Sequence, residues 1–514
     1  MKKERWATKT GLILALAGNA VGLGNFLRFP VQVAGNGGGA FMIPYFIALI
    51  LVGIPLKWVE LSIGRLGGKH GYHNCVGMFG LIGGNPRFKY IGVLGLFIPF
   101  TVCVYYTYIV SWTLGYSVFS FLGSYFGLES RECMGAFLKG YQGVESNQYF
   151  SSLAYSYTFF LICLGLVMYV LYKGVSRGIE KLAKVAVPLL ILFGIILMIR
   201  VFLLGTPDPS HPERNITNGL GFIWNPDFSE LSSASIWLAA AGQVFFTLSV
   251  GWGTMHNYAS YIREKDDIAL TGLASSSINE FTEVIIGGTI AIPAAVAFFG
   301  LIETQSIAKG GAFDLGFQSL PIIFQKIPLG EIFGGMWFLL LFFAGITSSV
   351  AMGQPVMSFL EGEMGLSRKK ATAILGIALL LVAQPVILFL GNGFLDELDF
   401  WVGSFALVVF AFLETIMFGW IFGMNRGWKE IIKNAEIKVP RIFYYILKYI
   451  TPLFLFAILV HWAITEVPSK LSMMGVDQGN IPYIIAARIM MAGIFLIFVL
   501  LVWRGDRERR VRKK

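Results

Sequence analysis

Asn279 and Glu283 stand four residues apart within the apolar stretch 268–302, so a helix there carries both side chains on one face, one turn apart. Amide and carboxylate oxygens are ligands for a hard cation, and an ionisable group inside an apolar span marks a pathway or a buried pair. Thr347, Ser348 and Ser349 lie midway along another apolar stretch, LFFAGITSSVAM, and add hydroxyls. Hydroxyls also hold membrane helices together, and Ser349 is read in that role. Further oxygens come from the backbone. Residues 18–30 read GNAVGLGNFLRFP, which sets Gly18, Gly22 and Gly24 beside Asn19, Asn25 and Arg28 in an otherwise apolar run. Each glycine costs a helix interior about 1 kcal/mol, and non-helical backbone survives at membrane depth only where it is buried or lines a polar cavity. Close packing through small residues is the competing reading. The sixth apolar stretch decides between them, because GQVFFTLSVGWGTM (242–255) repeats the interruption with Thr247, Ser249, Gly251 and Gly253. Two interrupted helices at corresponding positions of two five-span halves point to an inverted-repeat transporter. In such a fold, half-helix N-termini attract a carboxylate, while C-terminal ends and freed carbonyls hold cations.

The elements that must position these residues are membrane spans. Of 514 residues, 56% are hydrophobic and 14% charged, and the apolar residues form blocks of roughly 20, the length that crosses a bilayer. The blocks lie near 10–36, 39–63, 90–123, 152–172, 184–204, 232–261, 268–302, 331–360, 371–391, 399–423, 443–465 and 481–503, or about twelve spans of an all-α polytopic membrane protein. MKKERWATK is too charged, and the run after it too long, for a removable signal peptide. Lys and Arg recur at both ends and in every second loop, so both termini are expected in the cytoplasm. The net charge of +10 is mostly this orientation signal, which also suits anionic lipid and does not call for nucleic acid. Cys75, Cys103, Cys133 and Cys163 lack ligand spacing and the five histidines are scattered, which argues against a metal or haem centre. No GxxxxGK[ST] stretch provides for ATP, and no nucleophile, acid/base or metal set for an intramembrane enzyme is recognisable.

The stretches WATKTGLILALAGNAVGLGNFLRFP, NGGGAFMIPY, GQVFFTLSVGWG, SSINEFTEVIIGG, FFAGITSSVAM and LDELDFW occur here in order. Through them the chain resembles the neurotransmitter:sodium symporter family, most closely its bacterial leucine-transporting branch, over nearly its whole length. The resemblance implies a five-plus-five inverted repeat (1–204 and 232–423), with helices one and six broken at mid-membrane. Two further C-terminal helices (443–503) and a basic cytoplasmic tail (504–514) follow. It implies two sodium ions. The first would be held by the carbonyl of Ala20, the side chains of Asn25 and Asn279, and Thr247; the second by the carbonyls of Gly18, Val21 and Ala344 with the hydroxyls of Thr347 and Ser348. The amino acid would meet Asn19, Ala20, Leu23, Gly24 and Tyr106 at its polar end, with its ammonium on carbonyls of Ala20, Phe246, Thr247 and Ser249. Its side chain would meet Val102, Tyr106, Phe246, Ser249, Trp252, Ser348 and Met352. Gly22 stands where monoamine-transporting relatives carry Asp, so the ligand is expected to bring its own carboxylate. Arg28 and Asp399 would gate the outer side, and Lys3, Trp6 and Tyr261 the inner. Glu283 takes the place of the chloride that animal relatives require, and would also suit proton antiport once sodium leaves.

Four departures qualify these expectations. The inner pair of the family falls on Lys3 and Gly362, so Glu361 or Glu363, with Lys3 or in its place Arg5, is expected to form a shifted latch, weaker because Lys lacks the fork of Arg. Trp252 and Met352 replace smaller or stiffer side chains, which predicts a pocket for alanine- to leucine-sized substrates, with an aromatic-accepting pocket as the alternative rotamer outcome. Lys57 introduces a cation one turn before Glu60, which calls for an acidic partner. The outer loop 123–150 does not follow the family's sequence, so the resemblance implies nothing about it. The expectation is a chloride-independent sodium:neutral amino acid symporter of the bacterial inner membrane, with a homodimer as a candidate assembly. The rival readings are an aromatic amino acid transporter and a transporter-fold sensor that does not transport.

Overall fold

Apolar runs of bilayer length satisfy every backbone N–H and C=O within the helix, so a chain of this composition folds as helices in lipid. The computed structural model describes residues 4–512, and among these all regular structure is helical. Lys3, expected at the inner gate, and the end of the basic tail lie outside the described residues. Nine helices among the described residues are long and apolar enough to cross a membrane. The longest, Ala154–Phe202, runs through both the fourth and the fifth predicted spans, with a left-handed residue at Gly174 (φ 84°) between them. The two predicted spans that have no single long helix are the first and the sixth.

Burial separates interior from rim. Pro86–Phe121 has 94% of its apolar window buried and Ile268–Phe299 and Gly330–Gly362 have 83%, against 33% for Ala154–Phe202, Arg368–Leu388 and Ile442–Leu471. The latter helices turn Leu161, Leu192, Ile377 and Ile464 outward, as a bilayer surround requires. The interior helices enclose the two interrupted ones.

The first of these, Lys9–Ala20, starts at Thr8, whose hydroxyl accepts the Gly11 N–H at 3.0 Å. Glu180 accepts the N–H groups of Ala7 and Thr8 at 2.7 and 3.2 Å, a carboxylate at the positive end of the helix dipole. At Val21 (ψ 108°) and Gly22 (φ −132°, ψ −168°) the backbone extends, and helix resumes at Leu23–Phe26 and Arg28–Gly35. The sixth stretch runs as Ala234–Leu248, then passes through left-handed residues at Ser249 (φ 52°), Gly251 (φ 77°) and Gly253 (φ 76°) before Thr254–Ala259. The two breaks face each other: the Ser249 hydroxyl donates to the Asn19 carbonyl at 2.9 Å, and Asn19 Nδ2 donates to Thr254 Oγ1 at 2.9 Å.

Backbone from neighbouring helices closes on the second break. A Cβ at Gly253 would lie 2.6 Å from the Gly95 carbonyl oxygen, and one at Gly251 2.7 Å from that of Leu407. Gly253→Ala adds this clash to a left-handed strain of about 1–2 kcal/mol and is expected to lower the Tm in detergent by several degrees. Gly242→Ala, in a helix with nothing within 4 Å of its Cβ, is expected to leave the Tm unchanged or raise it. Equal melting temperatures for the two variants would contradict this account of the break.

Candidate functional site

Where the breaks meet Ile268–Phe299, four polar side chains converge. Asn25 Nδ2 lies 3.1 Å from Thr247 Oγ1, 3.0 Å from Asn279 Oδ1 and 3.0 Å from Glu283 Oε2. Asn279 Nδ2 donates to Thr247 Oγ1 at 2.8 Å, and the Thr247 hydroxyl donates to Glu283. Gln243 Nε2 donates to the other Glu283 oxygen at 2.7 Å. All five side chains are buried. The helix loosens into a π-type turn over Phe281–Gly287, a feature frequent at functional sites, and this turn carries Glu283. The structure therefore brings together Asn25, Thr247 and Asn279 and adds Glu283 in direct contact.

A second convergence lies on the other side of the first break. Ser348 Oγ is 3.5 Å from the Gly18 carbonyl oxygen, 3.4 Å from that of Val21, 3.2 Å from that of Ala344 and 3.3 Å from that of Asn19. Thr347 Oγ1 donates to the Ala344 carbonyl at 3.0 Å. Gly18 allows the approach, since a Cβ there would sit 3.0 Å from Val187 and 3.4 Å from Thr347. Every oxygen in this set is neutral, which suits a monovalent hard cation better than a divalent one.

Between the breaks is a cavity of about 30 Å³, lined among others by Ala20, Ser249, Trp252, Ser348 and Met352. A larger cavity of about 300 Å³ contains Arg28 and Asp399. Tyr106 and Phe246 line both, so these rings form the partition. Asn19 also borders the smaller cavity. Leu23, Gly24 and Val102, expected against the substrate, line the larger cavity instead, and Thr247 belongs to the polar cluster. Both rings of the partition are held. The Leu23 N–H donates to the Tyr106 hydroxyl at 3.0 Å, and the Arg28 guanidinium sits 4.5 Å from the centroid of the Phe246 ring, a cation–π contact. Asp399 accepts the Tyr105 hydroxyl at 2.7 Å. Trp252 meets Phe246 edge-on at 6.1 Å, and its buried Nε1 has no hydrogen-bond partner among the described residues.

A model of the sodium:neurotransmitter symporter family matches residues 3–141 and 146–504. The chain belongs to this family. It is 30% identical over 469 residues to an uncharacterised sodium-dependent transporter of Methanocaldococcus jannaschii, across 89% of this chain and 90% of the relative. It is 26% identical over 551 residues to the rat sodium-dependent neutral amino acid transporter B(0)AT1, across 91% of this chain and 83% of the relative. The crystal structure of MhsT in complex with L-phenylalanine matches with a TM-score of 0.75 at 28% identity, covering 89% of this chain and 99% of that one. The protein is thus a sodium-dependent secondary transporter with the LeuT fold and not an enzyme.

The residues expected at the inner gate lie near the N-terminal segment. Trp6 Nε1 donates to the Tyr258 carbonyl at 2.9 Å, and the Tyr261 hydroxyl lies 2.9 Å from Ser358 Oγ. Among the described residues an ion pair joins Glu4 and Arg368, and Lys3 lies outside them. Arg368 forks onto both Glu4 oxygens at 2.8 and 3.0 Å and onto both Glu361 oxygens at 3.0 and 3.1 Å. Glu4 also accepts the Val175 N–H at 2.8 Å, so one carboxylate ties the N-terminal segment to two other parts of the chain. The latch was expected to be weak because Lys lacks a fork; here an arginine provides one.

Sequence reasoning also missed Glu280, which accepts the Tyr45 hydroxyl at 2.6 Å beside the Asn279 cluster. Lys57 is fully buried in the field of Glu280 and Glu60, and its Nζ has no hydrogen-bond partner among the described residues. For Glu280, the rule applied to Glu283, an acid inside an apolar span, was signal enough. If the inner latch acts as a unit, Glu4→Gln and Arg368→Gln each lower the Tm and the double variant is no worse than the poorer single, a coupling of about 1 kcal/mol. Additive losses in the thermal melts would count against it.

Proposed function

We propose that this transporter couples inward sodium flow to the uptake of small to medium neutral amino acids by alternating access, without need of chloride. The observation that carries the reading is the pair of oxygen clusters, at Asn25 and at Ser348, that flank one small cavity between two broken helices. In this reading one sodium binds Asn25, Thr247, Asn279 and the Ala20 carbonyl. A second binds the Gly18, Val21 and Ala344 carbonyls with Thr347 and Ser348. The amino acid carboxylate meets the Tyr106 hydroxyl and the Leu23 and Gly24 backbone once the partition admits it, and its ammonium meets carbonyls of both breaks. Gly22 supports a ligand that carries its own carboxylate, since a Cβ there would already lie 2.9 Å from the Tyr106 hydroxyl.

The repeats 1–204 and 232–423 rock about this centre. The Arg28–Asp399 pair closes above Phe246 on the outer side, and the Glu4–Arg368–Glu361 latch opens on the inner. The basic loops support cytoplasmic termini in a plasma membrane. Glu283 supports chloride independence, because its carboxylate already contacts Asn25 and Thr247 where an anion would otherwise balance a bound cation. The Trp252 ring beside Phe246 favours a small side chain. A second reading, an aromatic substrate, is favoured by the phenylalanine in the related MhsT structure.

Thermal stability of the purified protein with a panel of amino acids, in sodium and then in potassium, tests the proposal. Stabilisation by alanine or leucine in sodium only is expected, and Trp252→Phe is expected to move the preference towards larger side chains. Stabilisation by phenylalanine or tryptophan alone would replace the small-substrate reading with the aromatic one. Binding without accumulation in proteoliposomes would leave a sensor. In the same vesicles Glu283→Ser is expected to make uptake depend on chloride, and chloride-independent uptake by that variant would refute the role given to Glu283.

A further inference from the structure

His256 stands between two glutamates at a place the transport reading does not use. Its Nδ1 lies 3.4 Å from Glu60 Oε2 and its Nε2 3.4 Å from Glu414 Oε2. None of the three side chains has any solvent exposure. Both imidazole nitrogens, Glu60 Oε2 and both Glu414 oxygens lack a hydrogen-bond partner among the described residues. The Phe79 and Phe410 rings flank the imidazole, with centroids at 5.9 and 6.1 Å, so the surround is apolar. Such a set is costly to bury unless a proton or a cation joins it.

The geometry chooses between these. The three side chains are close enough to ligate one ion, but a metal takes a single imidazole nitrogen, whereas here opposite nitrogens face different carboxylates. Opposite nitrogens, each 3.4 Å from a different carboxylate, suit a doubly protonated imidazole, whose two N–H groups would point one to each glutamate. The other titratable and charged groups nearby are few. Cys75, at the start of Cys75–Ile82, puts its thiol in the field of both glutamates, and Lys57 lies one turn before Glu60. Gly330–Gly362, which packs on the same short helix, brings Gln354 and Ser358 to Tyr261 and Asn257. From the first helix segment, Trp6 reaches Tyr258.

We propose that Glu60, His256 and Glu414 form a proton-binding site, in which protonated His256 bridges the two carboxylates and holds the break of the sixth helix in its substrate-binding arrangement. The connection is short. His256 lies on Thr254–Ala259, directly after the break, and the other Glu60 oxygen accepts the Gly251 N–H, next to Trp252 at the cavity. Loss of the proton turns a nitrogen lone pair towards a carboxylate and removes one of the ties between Gly39–Lys69, the sixth helix and Phe394–Ile421. Proton and amino acid therefore bind cooperatively, each raising the affinity of the other by the same factor.

This functional half rests on the transport reading, while the site itself is tested without substrate. In protein labelled with ¹⁵N-histidine at neutral pH, NMR is expected to show one imidazole protonated at both nitrogens. That signal should be missing in His256→Leu and should lose its second proton at lower pH in Glu414→Gln, which also serves if the Leu variant fails to fold. With saturating sodium, the Kd for the best-bound amino acid is expected to rise about tenfold between about pH 6 and about pH 9, and to stay flat in His256→Leu. A singly protonated His256 throughout, or stoichiometric zinc by elemental analysis that His256→Leu abolishes, would overturn the proposal. Doubly protonated His256 with no amino acid binding would keep the site and overturn the transport reading.

Discussion

The rest of the structure depends on one constraint: two helices are broken where no solvent is at hand to satisfy the backbone they expose. A buried N–H or C=O left without a partner costs about 1–3 kcal/mol, so each freed group needs a donor or acceptor from elsewhere. The Gly22 N–H finds Asn25 Oδ1, the Leu23 N–H finds Tyr106, the Gly251 N–H finds Glu60, and the Asn19 carbonyl finds Ser249. The polar residues in otherwise apolar spans are thus consequences of the breaks as much as separate ligands. Ser249 shows the reciprocity, because its left-handed backbone, unfavourable for a residue with a Cβ, is held by the hydroxyl bond it makes to the opposite break.

Because the same backbone serves several purposes, the site has no independent parts. Asn25 caps the Gly22 N–H and also reaches Thr247, Asn279 and Glu283. Gly24 lies so close to the Phe246 ring that a Cβ would be 2.4 Å from it, and the Arg28 guanidinium rests on the same ring. A cation that draws in Asn25 therefore pulls on the segment that bears Leu23 and Gly24, and through them on Tyr106 and Phe246. In the reading proposed above, coupling of ion, substrate and gate needs no long pathway, since all three would share about ten residues of chain.

What could be read from the sequence was what lies along one segment. The interruptions were legible because three glycines within seven residues, followed by a matching set in the sixth span, defy the cost of a continuous helix. The two oxygen sets were legible through the family resemblance and the one-turn spacing of Asn279 and Glu283. Pairings that depend on how helices rotate against one another were not. Glu4 with Arg368 joins positions 364 residues apart, and nothing in either local stretch prefers that pair to Arg5 with Glu361. Likewise Leu23, Gly24 and Val102 fall on the outer side of the partition because of where the Tyr106 and Phe246 rings rest, a choice of rotamer and conformation that residue type does not encode.

Charge balance connects the interior features that remain. Among acidic and basic side chains, those with no exposure at all are Lys57, Glu60, His256, Glu283 and Glu414. Were all of them ionised, three carboxylates against one ammonium would leave an excess of negative charge in a low-dielectric core, where uncompensated ions are strongly disfavoured. Glu283 sits in the cluster proposed to bind sodium and the other two carboxylates flank His256, so the excess is divided between two places, each of which can take up one positive charge. Lys57 lies in the field of both Glu280 and Glu60, so it adjoins both places. A core arranged in this way is most stable with a cation at Glu283 and a proton at His256 together. Through charge alone, losing one makes the other harder to lose, so cooperation between the two places has to come through the sixth helix, which carries Thr247 at Glu283 and His256 beyond the break.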